Sequence, residues 1–262
     1  MITVYYAVKQ ISGNLDKVID SGSLINMLVD SLTPVYNDLK KIENKEIDNI
    51  GSMYSCRSFL QYTKNMYLMK NPFDINVRIE KSKVFNLGNR SLDNLYLNRV
   101  MQTTNGYNLN YQPGYIFFSE TPLEIEVLSP FMHKSNFCKN GYIVPGSYDI
   151  SKWFRPINPA LQLYDNSDKE IQSEKGDALM YINFKTNDSV RLKRFEITQE
   201  LENIMYATTE YKKYDSNRSL SYLYDKFIQS GLSKKTLKII KENLIWPPLG
   251  ISAIIEFWRK VR

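Results

Sequence analysis

Between residues 114 and 197 the chain is a succession of short period-two segments with no long helical pattern between them, and this spacing constrains the fold more than any other feature. Tyr115 to Ser119 is strand-like. Leu123, Ile125 and Val127 alternate with Glu124 and Glu126, the pattern of a strand with one wet face. Tyr142 to Val144, Ala160 to Tyr164, Ala178 to Phe184 and Val190 to Ile197 continue the series, with turns at Pro113-Gly114 and Thr121-Pro122. Parallel neighbours would need long helical connections. The spacing therefore predicts an antiparallel β-sandwich or distorted barrel.

The flanking regions are read in the same way. Ile2 to Val8, rich in β-branched and aromatic residues, is an opening strand. Leu24, Leu28 and Leu32 stand at helical spacing until Pro34 interrupts. Ser55 to Tyr62 makes one or two helical turns, ending near Lys64-Asn65. Tyr67 to Met69 and Asp74 to Glu80 resemble a hairpin joined by Lys70-Asn71-Pro72-Phe73, with Ile75, Val77 and Ile79 inward against Asn76, Arg78 and Glu80 outward. After Thr198 the period changes to 3.6. Thr198 caps a helix with Leu201, Ile204 and Met205 on one face, and a second spans about Ser219 to Ser230. A third, capped by Ser233, ends before Trp246-Pro247-Pro248. The expected architecture is one α+β domain over residues 1–262, β-rich to about 197 with a C-terminal helical cap.

Composition narrows the functional classes. With 43% hydrophobic residues a chain of this length buries a real core. The longest mostly apolar stretch, Leu244 to Trp258, is broken by Pro247, Pro248 and Gly250 and carries Glu256, so no membrane helix is expected. Met1 to Val8 has no basic leader, which points to a cytoplasmic protein. Cys56 and Cys138 read as free thiols. A single histidine, His133, cannot build the usual zinc or two-histidine iron sets within one chain, and neither a metal nor a cofactor is expected. Walker, Gly-x-Gly-x-x-Gly, His-Glu-x-x-His and Gly-x-Ser-x-Gly runs are missing, so no motif fixes a reaction.

The first candidate site is the polar and aromatic insert from Pro145 to Pro156. Ser147 and Asp149 with His133 would supply acid, base and hydrogen-bonding groups, Arg155 a two-pronged grip on a carboxylate or phosphate, and Trp153 a stacking wall. The structural alternative has Ser147 or Asp149 capping a short turn, Trp153 and Phe154 plugging the core, and Arg155 bridging to a local carboxylate. Cys56 beside Arg57 would be a stabilised thiolate or an inert thiol. Glu120, Glu124, Glu126 and Asp149 would gather round a hard cation or simply face water.

Charge is concentrated at the C-terminal end: residues 211 to 262 hold eleven Lys or Arg against four acids, whereas the whole chain carries +6. Gln229 to Ile240 is patterned like the middle of a helix-turn-helix, with Lys234, Lys235, Lys238 and Lys241 available to phosphates. Phe227 stands where a small residue normally lets the helices approach, which favours a plain basic hairpin. Nineteen tyrosines would add stacking faces or serve as core and cross-strand partners.

Several runs carry a resemblance: Ser55-Cys56-Arg57-Ser58-Phe59 with Lys64-Asn65, Phe118 to Leu123, Pro130-Phe131-Met132-His133, Gly146 to Ile150 with Lys152 to Pro156, and Lys175-Gly176-Asp177. Over about residues 50 to 245 the chain resembles an uncharacterised protein family of tailed phages, marine and T4-like ones among them. Abundant Asn with scarce Ala and Gly agrees with an AT-rich viral or small-genome bacterial source. Pro145-Gly146-Ser147 and Lys175 to Leu179 are also similar to the β-clip of dUTPase-like proteins, without their catalytic aspartate motif. The resemblance implies a phage or marine metagenomic origin and supplies no mechanism; the leading expectation is a phage-encoded soluble accessory protein that binds a host protein or an anionic ligand. The alternatives are a small-molecule or nucleotide-binding enzyme, a nucleic-acid-binding protein acting through the basic helices, and a virion component.

Overall fold

The computed structural model describes residues 1–8, 32–46, 55–71, 74–80, 83–87, 97–103, 106–111, 113–152, 154–214 and 218–245. In chain order they form β1 (Ile2–Val8), β2 (Leu32–Pro34), α1 (Val35–Glu46), α2 (Arg57–Thr63), β3 (Met66–Lys70), β4 (Ile75–Glu80), β5 (Lys83–Asn86), β6 (Leu97–Thr103) and β7 (Gly106–Tyr111). There follow β8 (Tyr115–Ser119), β9 (Glu124–Leu128), β10 (Gly141–Ile143), β11 (Gly146–Asp149), β12 (Ala160–Leu163), β13 (Lys169–Ser173), β14 (Ala178–Phe184) and β15 (Val190–Arg194). Three helices close the order: α3 (Gln199–Tyr214), α4 (Leu220–Gln229) and α5 (Leu232–Glu242). No helix among the described residues is long and apolar enough to cross a membrane.

The expected α+β class, with antiparallel sheets and C-terminal helices, is what the structure shows, and the sheets do not close into a barrel. Four sheets run β15-β1-β8, β10-β12-β7-β6, β11-β9-β14-β3-β2 and β13-β4-β5. All contribute to one central core, through residues such as Val4, Phe117, Leu109, Leu161, Ile125, Ile182, Val77 and Ile171. The pairing of β1 with β15 is parallel, from Ile2 opposite Val190 to Tyr6 opposite Arg194. Alternation explains the apolar density of β1 and β8: Val4, Tyr115 and Phe117 enter the central core, whereas Tyr5, Ala7, Ile116 and Phe118 face a second core under the helices. Strands buried on both faces have no need of polar positions.

The hairpin expected between Tyr67 and Glu80 does not form. Both strands exist, but β3 pairs with β14 and β2 whereas β4 pairs with β13 and β5. The link is pinned to another turn: the Asn71 N–H donates to Asp177 O and Asn71 O accepts from the Gly176 N–H, both at 2.8 Å. Buried Asn71 also donates from Nδ2 to Ser173 Oγ at 2.7 Å. β3–β4 and β13–β14 thus change sheets side by side, a corner rather than a hairpin.

α1 begins directly after Pro34 and buries Val35 and Leu39 on the outer face of β3 and β14, against Met66, Leu68 and Tyr181. Leu32 to Pro34 is a short strand on β3, not the end of a helix, and Leu24 and Leu28 lie outside the described residues. Thr198 caps as expected and Ser219 caps the next helix, accepting the N–H groups of Leu201 at 3.3 Å and Tyr222 at 3.2 Å respectively. The cap expected at Ser233 is not used, because α5 starts earlier. Gly231, at φ +76°, makes the turn in the left-handed conformation that glycine adopts freely. Phe227 points into the sheet, 6.4 Å from Phe118 and edge-on to it, which lets the two helices form a plain hairpin.

Candidate functional site

The insert is built into the fold at both ends. The Ser119 N–H donates to Ile150 O at 3.2 Å and the Ile157 N–H to Tyr115 O at 2.8 Å, so the segment lies against the outer edge of β8. Covering an open strand edge is a structural task in its own right. Asp149 Oδ1 accepts the Ser151 N–H at 3.0 Å and the Ser151 hydroxyl at 2.6 Å, and Oδ2 lies 3.3 Å from Lys152 Nζ. Ser147 Oγ donates to Glu124 Oε2 at 3.2 Å. Phe154 is wholly buried against Phe118, edge-on at 5.6 Å. Trp153 lies outside the described residues. Arg155 is half-buried beside Tyr148 and Tyr224; burial lowers its guanidinium to about 10 and raises the Tyr224 hydroxyl to about 12. Asp149, Phe154 and Arg155 thus tie β11, the core and α4 together.

His133 has a different set of partners. Its Nδ1 lies 2.6 Å from Tyr181 Oη and its Nε2 3.2 Å from Asp38 Oδ2, while Asp38 Oδ1 accepts from Lys70 Nζ at 2.6 Å. Tyr181 Oη also accepts the Met132 N–H at 3.0 Å, which directs its own proton to Nδ1 and leaves the His133 proton on Nε2. Both nitrogens are therefore engaged, and neither meets a thiol. Cys56 is exposed and Cys138 half-buried, both free. Asp38, Lys70 and Tyr181 were not singled out from the sequence; Asp38 stands 95 positions from His133, and local pattern cannot bridge that gap.

The lysines of α5 are largely matched by carboxylates. Lys235 pairs with Glu200 at 2.7 Å, Lys241 with Glu120 at 2.8 Å, and Lys238 lies 4.0 Å from Glu242. Lys234 stands with Lys238 and Lys241 around a shallow depression of about 360 Å³. Glu126 is matched by Lys185 at 2.9 Å and Asn183 at 3.3 Å, and no three His, Cys, Asp or Glu side chains among the described residues are grouped to hold a metal ion.

A larger concavity, about 590 Å³, lies between the start of β4, the loop 136–140 and β13. Period-two geometry creates its polar wall: Ile75, Val77 and Ile171 turn into the core, so Asn76 and Gln172, paired across the ladder, point away from it. Phe137, fully buried and 5.3 Å from Tyr111, anchors the loop that supplies Asn136, Lys139 and Asn140. Most acids here are already used. Glu170 Oε1 accepts from Arg78 Nε at 3.0 Å and Nη2 at 2.5 Å, and Asp74 Oδ1 accepts the Lys175 N–H at 2.8 Å. Asp177 Oδ2 receives Asn136 Nδ2 at 2.9 Å, the Glu174 N–H at 3.0 Å and Ser173 Oγ at 3.2 Å. Asn140 Nδ2 donates to Glu170 O at 3.1 Å. Among the described lining residues, the side chains of Gln172, Lys139 and Glu174 take part in none of these bonds, and Asn76 Oδ1 is withdrawn from water with no hydrogen-bond donor. The one sequence signal for this wall was the outward Asn76, Arg78 and Glu80 pattern of β4.

A scan against protein-family models and searches of curated proteins and of solved structures found no match.

Proposed function

We propose that the protein works by binding a small polar ligand in the cleft between β4, the loop 136–140 and β13. The observation that carries this reading is an open cavity of about 590 Å³ whose described lining is polar except for Ile75, with Asn76 and Gln172 on the face of β4 and β13 turned away from the core. The accessory binding role expected from the sequence is kept, with the surface moved from the insert to the cleft. An anionic ligand suits this cleft poorly, since Asp74, Glu170 and Glu174 outnumber Lys139 in its lining.

The test is amide chemical-shift mapping of the full chain with four probes added separately: triacetylchitotriose, glycylglycine, spermidine and inorganic phosphate. At least one is expected to shift the signals of Asn76, Asn136, Asn140 and Gln172 together. If all four leave those signals in place up to about 10 mM, near the weak end of specific affinity, the reading falls.

A further inference from the structure

The lining itself selects among polar ligands, and on the premise of the cleft reading we infer that the ligand is a neutral oligosaccharide with a tyrosine platform at the cleft's rim. Ile75 is the one apolar residue among the described residues of the lining, and it is nearly fully buried. An apolar ligand would dehydrate the Gln172 amide, Lys139 and Glu174 without pairing them, a cost with no compensating burial. A cation would find Glu170 held by Arg78 and Asp74 capping Lys175, whereas an anion would face the carboxylate excess. Side-chain amides carry an acceptor and two donors on one plane. Neighbouring hydroxyls of a pyranose ring, each both donor and acceptor, match that arrangement without bringing charge.

A second observation lies at the rim. Tyr142 and Tyr164 are exposed at 41% and 63%, with ring centroids 6.1 Å apart and planes inclined by 39°. Asn140 joins them to the cleft: its carbonyl accepts the Tyr164 N–H at 3.1 Å while its side chain holds Glu170 O, and Tyr142 follows two residues later. Gly141 fixes this stretch, because the backbone of Gln162 and Leu163 passes where a Cβ would lie. Two aromatic faces left in water beside an amide-lined cavity form a surface for the C–H face of a sugar ring, which hydroxyl-to-amide bonding alone leaves unsatisfied. The same Asn140 contact covers the outer edge of β13, which argues against an extended peptide adding as a further strand.

Triacetylchitotriose, maltotriose and cellotriose should be titrated separately into the full chain, with Tyr164→Ala and Asn76→Ala as comparisons and each variant's melting temperature recorded. At least one trisaccharide should shift the cleft amides, and Tyr164→Ala should weaken it by about tenfold, or about 1.4 kcal/mol, with an unchanged melting temperature. Equal affinity for Tyr164→Ala and the parent chain would overturn the inference. So would silence toward all three sugars. If glycylglycine or spermidine then moves the same amides, binding in the cleft stands and the sugar assignment alone is lost; if no probe moves them, both are lost.

Discussion

Tyr181 donates its hydroxyl proton to Nδ1 of His133 across 2.6 Å, and His133 passes the polarity on through Nε2 to Asp38, which Lys70 holds from the other side. This chain joins β14, the loop after β9, α1 and β3, and it depends on a neutral imidazole. Burial pulls the His133 pKa below its ordinary 6.5; Asp38 opposes the shift and Lys70 adds to it. Below pH 6.5 the unfolded chain therefore takes up a proton that the folded one refuses. This contribution to stability is full above 6.5 and is lost as pH falls toward the lower folded value, with a slope of up to about 1.4 kcal/mol per pH unit. Urea unfolding of the parent and His133→Gln between pH 7.5 and 5 should show the steeper loss in the parent; parallel curves would contradict the neutral, doubly bonded histidine.

Asn71 should be among the least replaceable polar residues. Its backbone holds Gly176 and Asp177, its Nδ2 holds Ser173, and its Oδ1 accepts from Tyr111 Oη at 3.3 Å. Asn71→Ala removes the donor to Ser173 Oγ and the acceptor of the Tyr111 hydroxyl from a buried corner, and a loss of about 1–3 kcal/mol is expected in chemical denaturation. Asn71→Asp places a charge in the same cavity and should be at least as damaging.

The sites hardest to read from sequence are those assembled across sheets. Local alternation marked Ile75, Val77, Ile79, Ile125 and Val127 as inward, and the cap at Thr198 was visible because capping is a matter of three residues. The sheet change at Asn71 was not, since its partner Ser173 is 102 positions away and Lys70 to Phe73 has the composition of a turn. The cleft draws on residues 74–76, 136–140 and 170–174 and uses amides, which carry no spacing signature. The insert misled for a physical reason: Asp149, Ser151 and Arg155 look like site residues, yet the same groups are what a chain needs to cap a turn and cover a strand edge.

That distinction is open to measurement at neighbouring positions. Phe154→Ala empties a fully buried ring site shared by β8 and the helices and should cost about 3–5 kcal/mol. Arg155→Ala removes the stem and guanidinium packed between Tyr148 and Tyr224, and should lower stability by about 1–2 kcal/mol. A recognition arginine on an open surface would leave the melting temperature where it was. An unchanged transition for Arg155→Ala would therefore restore the insert as a docking surface.

Two glycines separate the needs of the fold from those of the cleft. At Gly231 an added Cβ would meet nothing within 4 Å, so Gly231→Ala carries only the strain of φ +76°, about 1 kcal/mol, and Gly231→Asn should carry less. At Gly141 the added Cβ would collide with the backbone of Gln162 and Leu163, and neither segment can yield without parting β10 from β12. Asn140 moves with Gly141, and with it the hold on Glu170 and on Tyr164. Gly141→Ala should therefore lose both stability and the chemical-shift response of the cleft to its ligand, whereas Gly231→Ala, slightly destabilised, keeps that response in full. A Gly141→Ala protein that melts and responds like the parent would show that the close approach of β10 and β12 does not hold the cleft in shape.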